Sequence, residues 1–210
     1  MTTLVVLAKA PRPGAVKTRL CPPLTYEAAA RFAAASLADT LDVADRVSWS
    51  RRVLALDLPD GRWDRRGWTR IQQPAGGLDR RIGHALAAAQ RLARGAPVLL
   101  IGMDTPHLRA ADLRAARDLL EHHDAVLGPA EDGGYWAIGM RVPNPKLIGG
   151  VPMSTSLTGT AQLLRLWEAG LTVGFAAPYR DIDTIEDARA AGRTLPHSRF
   201  AVSLQQAGAA

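Results

Sequence analysis

Two kinds of segment in this chain carry charge in patterns that chemistry can use. Near the start, Lys9-Ala10-Pro11-Arg12-Pro13-Gly14-Ala15-Val16-Lys17-Thr18-Arg19 gathers four cations and holds two of the chain's three lysines, Lys146 being the third. Gly14 lets the backbone turn tightly and approach a ligand. Lys9, Arg12, Lys17 and Arg19 can each give charge-assisted hydrogen bonds worth roughly 1.5–3 kcal/mol net. The glycine spacings of a Walker A loop and of a dinucleotide fingerprint are both absent, so the segment reads as a phosphate cradle of another kind or as a solvated basic loop. The second kind of segment is acidic: Asp104 in Gly102-Met103-Asp104-Thr105-Pro106, Asp132 in Asp132-Gly133-Gly134-Tyr135, and Asp181 and Asp183 in Asp181-Ile182-Asp183-Thr184. Two carboxylates about 4 Å apart repel by roughly 4 kcal/mol at an effective dielectric near 20, so a converged pair wants a cation. Magnesium suits such a pair, because it takes one or two carboxylates together with substrate phosphates. The plainer alternatives are that Asp183 caps a helix and that Asp132-Gly133 makes a hairpin turn.

What brings such segments together is the pattern of elements. Thr3 to Ala8 is a short apolar run that reads as a buried strand directly before the basic loop. Thr25 can cap a helix from Tyr26 to about Leu41. Strands are expected over 52–56 and 70–72, and a helix over 77–94 carries Leu78, Ile82, Leu86 and Leu92 at helical spacing. The clearest strand, 97–102, ends at Met103-Asp104, and a helix follows over about 110–121. Strands at 124–128 and 135–140 flank Asp132-Gly133-Gly134; a helix over 158–169, a strand over 171–176 and a helix from Thr184 to about Ala191 complete the domain. Strands alternating with helices predict an α/β fold, a single domain with a mixed, mostly parallel sheet flanked by helices. In such sheets ligands gather beyond the carboxyl ends of the strands, where all four charged segments fall. Residues 1–195 read as that domain, and 196–210 as a weakly patterned C-terminal tail, an arm or a disordered end.

Composition narrows the field. Of 210 residues, 47% are apolar and 22% charged, the balance of a globular chain with a substantial core. No apolar run reaches the roughly 20 residues of a membrane span, the apolar start lacks a cleavage pattern, and the reading is a cytoplasmic protein. A net charge of +6 permits a nucleic-acid partner. The cations are scattered, however, and the five tryptophans are dispersed, so nucleic acid is not expected and a small phosphorylated ligand fits better. Cys21 is the one cysteine and reads as packed or surface-lying. His84 and His107 have no partner at metal-ligand spacing, His122 and His123 suit a helix end, and no nucleophile elbow is present.

With these motifs in view, the chain resembles a known group. Ala8-Lys9-Ala10-Pro11…Gly14…Lys17-Thr18-Arg19-Leu20, Gly102-Met103-Asp104-Thr105-Pro106, Gly128-Pro129-Ala130-Glu131-Asp132-Gly133-Gly134-Tyr135 and Asp181-Ile182-Asp183-Thr184…Asp187 look like the bacterial GT-A-like, radical-SAM/selenodomain-associated transferases. The resemblance spans nearly the whole chain in order and implies the nucleotide-diphospho-sugar transferase fold. The same elements are more distantly similar to 2-phospho-lactate guanylyltransferase and the molybdenum-cofactor nucleotidyltransferases. In those, the first loop holds nucleotide phosphates, and aspartates like Asp104 and Asp183 hold magnesium. Two segments depart from the family pattern: Leu78-Asp79-Arg80-Arg81 stands where Leu-Gly-Glu-Arg is common, and Met153 stands where tryptophan is common before Ser154-Thr155. Both are expected to shape an acceptor pocket.

The functional expectation is a magnesium- or manganese-dependent nucleotidyltransferase acting on a nucleoside triphosphate and a small phosphorylated acceptor. The alternative is a glycosyltransferase using a nucleotide sugar; a non-catalytic nucleotide binder and an RNA-binding module are further readings. Lys9, Arg12, Gly14, Lys17, Arg19, Gly133 and Gly134 are expected to contact the nucleotide. Lys17, Arg19 and Asp132 are expected to take part in the chemistry, and Asp104 and Asp183 to hold the metal.

Overall fold

The computed structural model describes residues 1–209. Seven strands form one sheet in the order β3-β2-β1-β4-β6-β5-β7. They are β1 (Thr3–Ala8), β2 (Arg51–Leu56), β3 (Trp68–Gln72), β4 (Val98–Gly102), β5 (Ala125–Pro129), β6 (Tyr135–Met140) and β7 (Val173–Phe175). β1 to β4 run parallel, β6 runs antiparallel to both β4 and β5, and β7 is parallel to β5. The expected mixed, mostly parallel sheet is therefore the one found.

The apolar runs of β1 and β4 follow from burial on both faces. Leu4 and Val6 of β1 pack with Leu37, Leu41 and Leu113 of the helices α1 (Tyr26–Asp45) and α3 (Ala110–Leu119). Val5, one residue out of phase, packs on the opposite face with Ile82 and Leu86 of α2 (Leu78–Ala93) and Leu166 of α4 (Thr158–Glu168). Thr25 caps α1 by accepting from the Ala28 amide at 3.2 Å. Thr184 and Asp187 form a capping box at the start of α5 (Ile185–Thr194), so the helix cap expected near Asp183 belongs to its neighbour Thr184.

The segment expected as a tail departs from that reading. Arg199–Gln206 is a further helix, α6, capped by Ser198. Phe200 is fully buried, its ring edge-on to Phe32 of α1 at 6.1 Å between centroids. Its backbone amide donates to Asp39 at 3.0 Å, while Arg199 reaches both Asp39 and Asp42. Eight residues, barely two turns, are too short a stretch to give a clear periodic signal. Their partner is the back of α1, more than 150 positions away, which no local pattern reveals.

The chain order places the charged segments together. β2 and β3 are laid down on one side of β1, and β4 returns to its other side. This reversal opens a crevice between the carboxyl ends of β1 and β4. The basic loop leaves β1 there and Asp104 follows β4. The strand extension after β7 then runs beside the end of β5, the Tyr179 amide donating to the Pro129 carbonyl and the Glu131 amide to the Tyr179 carbonyl, and arrives at β4, where the Ile182 amide donates to the Asp104 carbonyl at 2.9 Å.

Candidate active site

A cleft of about 650 Å³ opens at this end of the sheet. Its rim brings together Lys9, Lys17, Arg19, Asp104, Asp132, Gly134, Asp181 and Asp183, which the sequence spreads over nearly the whole chain. Two ion pairs tie the basic loop to the acidic segments. The Lys17 ammonium donates to Asp104 and to the Ile182 carbonyl, and Arg19 donates to Asp183 at 3.0 Å. Lys17 is nearly enclosed, with 7% of its side chain exposed against 49% for Asp104. Arg19 is open to solvent, so its pair with Asp183 contributes little to stability and leaves both groups available to a ligand.

Local bonds fix this loop. The Ala10 amide donates to Asp57, just beyond β2, at 2.7 Å. Ala15 closes a turn onto the Arg12 carbonyl, for which Gly14 supplies a positive φ of 72°. Lys17 adopts φ 50° although it is not glycine, a sparsely populated conformation that costs roughly 1–3 kcal/mol and is commonest at functional sites. Gln73, following β3, is buried and donates to the carbonyls of both Ala8 and Ala55 at 2.7 Å, pinning the strand ends below the loop.

Not every expected residue lines the cleft. Arg12 and Gly14 lie on the exposed outer turn of the loop, away from the lining; their part is the shape of the turn. Gly133 is packed against protein: a Cβ there would sit 2.1 Å from the Ser156 carbonyl oxygen. The Gly159 amide also donates to the Gly133 carbonyl at 2.8 Å. The extra glycine therefore admits the Met153–Thr158 loop and carries it onto the cleft wall. Asp132 does line the cleft, and one of its oxygens accepts from the Gly134 amide at 2.8 Å.

Further groups complete the lining of the cleft. Asp181 and Asp183 flank the buried Ile182, so an extended backbone turns both carboxylates to the cleft. One Asp181 oxygen is buried without a hydrogen-bond partner, as is the hydroxyl of Thr105, among the described residues. The far wall is formed by Leu78, Arg81 and Ile82 of α2, Tyr135, and the Met153–Thr158 loop. Arg81 donates to the Gly76 carbonyl and makes no ion pair among the described residues. Burial pushes the Tyr135 phenol up, so it stays protonated at neutral pH.

Asp181 carries the strongest electrostatic signature. Burial first, then the negative charges of Asp104, Asp132 and Asp183, outweigh the pull of Lys17 and push its carboxyl up to about 7. Between pH 4 and 7 the folded protein thus holds a proton that the unfolded chain has lost, and stability falls as pH rises through that window. The full effect is on the order of 4 kcal/mol. Thermal midpoints recorded without divalent metal should fall from pH 5 to pH 8 in the wild type. Asp181→Asn should lack this component; an identical slope in the variant would contradict the assignment.

A family profile, "Uncharacterized protein conserved in bacteria (DUF2064)", matches residues 31–155, more than half of the chain. The chain belongs to this family. No curated protein matches it. Among solved structures, this DUF2064 member is similar to a protein of Desulfovibrio desulfuricans G20 provisionally described as a nucleotide-diphospho-sugar transferase, with 25% identity, a TM-score of 0.88, and coverage of 99% of this chain and 95% of that one. It is also similar to Rv0371c of Mycobacterium tuberculosis H37Rv in complex with manganese, at 20% identity, TM-score 0.52, covering 92% and 99%. A third likeness is to CMP:2-keto-3-deoxy-manno-octonic acid synthetase complexed with CTP, at 12% identity, TM-score 0.56, covering 92% and 98%. The fold of the DUF2064 chain is thus the nucleotide-diphospho-sugar transferase fold, as the GT-A-like resemblance implies. No helix among the described residues is long and apolar enough to cross a membrane.

Proposed function

We propose that this protein is a transferase enzyme, a metal-dependent nucleotidyltransferase. In this reading an oxygen of a small phosphorylated acceptor attacks the α-phosphorus of a nucleoside triphosphate. The bond from that phosphorus to the bridging oxygen breaks, and pyrophosphate leaves with the electron pair. The observation that carries the reading is the meeting of Lys17 and Arg19 with Asp104 and Asp183 at the crevice where the sheet reverses. Lys9, Lys17 and Arg19 would bind the triphosphate oxygens, whose charge exceeds that of a nucleotide-sugar diphosphate. Gly134, whose amide donates to Asp132, would contact the nucleotide from the same turn, and Asp132 is the candidate base for an acceptor that must lose a proton.

The cleft also fits a divalent cation. Its acidic donors are hard oxygens, and Asp181 offers a buried oxygen with no partner. Among the described residues no three His, Cys, Asp or Glu side chains form a metal-holding group by themselves, so the ion would need phosphate oxygens of the nucleotide to complete its shell. Asp104 and Asp183, with Asp181 beside them, would hold the ion, which when bound would offset charge building on the leaving pyrophosphate. The manganese complex of Rv0371c and the CTP complex of the octonic acid synthetase support this choice.

A second reading, glycosyl transfer from a nucleotide sugar, is favoured by the likeness to the Desulfovibrio protein and by the exposed hydroxyls of Ser154 and Ser156 on the cleft wall. Thermal shifts with magnesium and each of the four nucleoside triphosphates, set against common nucleotide sugars, separate the two. Stabilisation by a triphosphate is expected; a response to sugars alone would sink the nucleotidyl reading. Lys17→Ala should weaken triphosphate binding at least tenfold, about 1.4 kcal/mol, and an unchanged affinity in a titration would remove Lys17 from the cradle.

A further inference from the structure

Lys17 sits where a metal would be wanted. Its ammonium is nearly enclosed and bonded to one carboxylate oxygen, on Asp104, and one backbone carbonyl, on Ile182. Asp132, Asp181 and Asp183 complete the acidic rim of the same cleft, and Arg19 faces Asp183 from outside. A carboxylate and a carbonyl oxygen are also the donors a hard divalent ion selects. An ammonium gives up its hydration only for well-placed partners, and without it the carboxylates would face one another uncompensated.

We propose that Lys17 is an internal stand-in for the metal. In the ligand-free protein its ammonium occupies the cation position at Asp104, and it moves onto the phosphates when a metal–nucleotide complex enters. This rests on the nucleotidyl reading for the identity of the incoming ligand, but the occupancy of the cation position does not. A metal arriving alone must displace a tethered cation that has nowhere better to go. A metal arriving with phosphates brings the ammonium its new partner. Metal and nucleotide therefore bind with positive coupling, each raising the affinity of the other by the same factor. Lysine suits such an exchange of partners, being a compact ammonium with three donors on a flexible four-carbon stem, where arginine presents a rigid planar fork.

The test is manganese binding to the nucleotide-free full chain, read from the electron paramagnetic resonance signal of the free ion. Lys17→Met, which keeps much of the stem and removes the charge, is expected to bind Mn2+ at least tenfold more tightly than wild type. Equal or weaker binding by a folded Lys17→Met overturns the proposal. Lys17→Ala is measured beside it. A wild-type experiment removes any dependence on variant folding: the Lys17 ammonium resonance, followed by 15N NMR, must leave its protected position as Mg2+ saturates the protein. A signal unchanged by bound metal overturns the proposal as well. Should no triphosphate bind in the thermal-shift screen while Lys17→Met tightens Mn2+ binding, the nucleotidyl reading fails and the stand-in role stands.

Discussion

Asp104→Asn is expected to abolish magnesium-dependent stabilisation by a nucleoside triphosphate and to lower transfer activity by about 10³-fold, the scale of losing a principal charge-stabilising contact in a transition state. The one structural duty of the side chain is its pair with the nearly enclosed Lys17. Helix α3 begins at Ala110, where the Asp112 carboxylate accepts from the Arg109 amide at 2.8 Å, so Asp104 caps nothing. Its backbone carbonyl, which receives the Ile182 amide, is kept by any substitution. Asparagine preserves shape and an acceptor for Lys17 while removing the charge that a metal needs. Folding should therefore survive and binding should not. Stabilisation by magnesium and triphosphate that persists undiminished in Asp104→Asn would remove this residue from the metal site.

Gly133→Ala should cost the fold at least about 3 kcal/mol, because two independent penalties add. The backbone there has φ 87°, and the new methyl would lie 2.1 Å from the Ser156 oxygen and 2.6 Å from its carbonyl carbon. Neither atom is the free end of a flexible side chain. Relief requires the Met153–Thr158 loop to lift from the cleft wall, which would also disturb any acceptor resting on it. For a domain of this size the loss corresponds to a fall in thermal midpoint of roughly 10 °C. Gly14→Ala is the matched comparison. Its φ is 72° but nothing lies within 4 Å of the added Cβ, so only the backbone penalty of about 1 kcal/mol applies. Equal costs at the two sites, measured by denaturant unfolding, would show that the Ser156 contact does not constrain the loop.

Much of the framework is legible in the sequence because its signals are local. The apolar runs of β1 and β4, the Thr25 cap and the periodicity of α2 each declare themselves within a few residues, and alternation of strand and helix then dictates a sheet whose strand ends share one rim. Lys17, Arg19, Asp104, Asp132 and Asp183 meet there for that reason. What the sequence hides is direction at short range. Arg12 and Lys17 have similar chemistry in one loop, yet the turn at Gly14 sends Arg12 outward and the left-handed Lys17 inward. Gly133 announces close approach but not to what, and the answer, Ser156, lies in a loop with no regular pattern. Asp181 reads as an unexplained neighbour of Asp183 until its burial and its acidic surroundings are known. Helix α6 is likewise invisible without α1, whose surface alone makes Phe200 a core residue.

The most direct measurement of the central claim is a crystal structure with Mn2+ and a non-hydrolysable nucleoside triphosphate, the ion located by its anomalous scattering. The account predicts the ion bridging the triphosphate and the carboxylates of Asp104 and Asp183, at metal–oxygen distances near those of hard octahedral sites, about 2.0–2.2 Å, with the Lys17 ammonium on phosphate oxygens. An ion bound away from both aspartates, or a triphosphate lying outside the Lys17 and Arg19 rim, would contradict it.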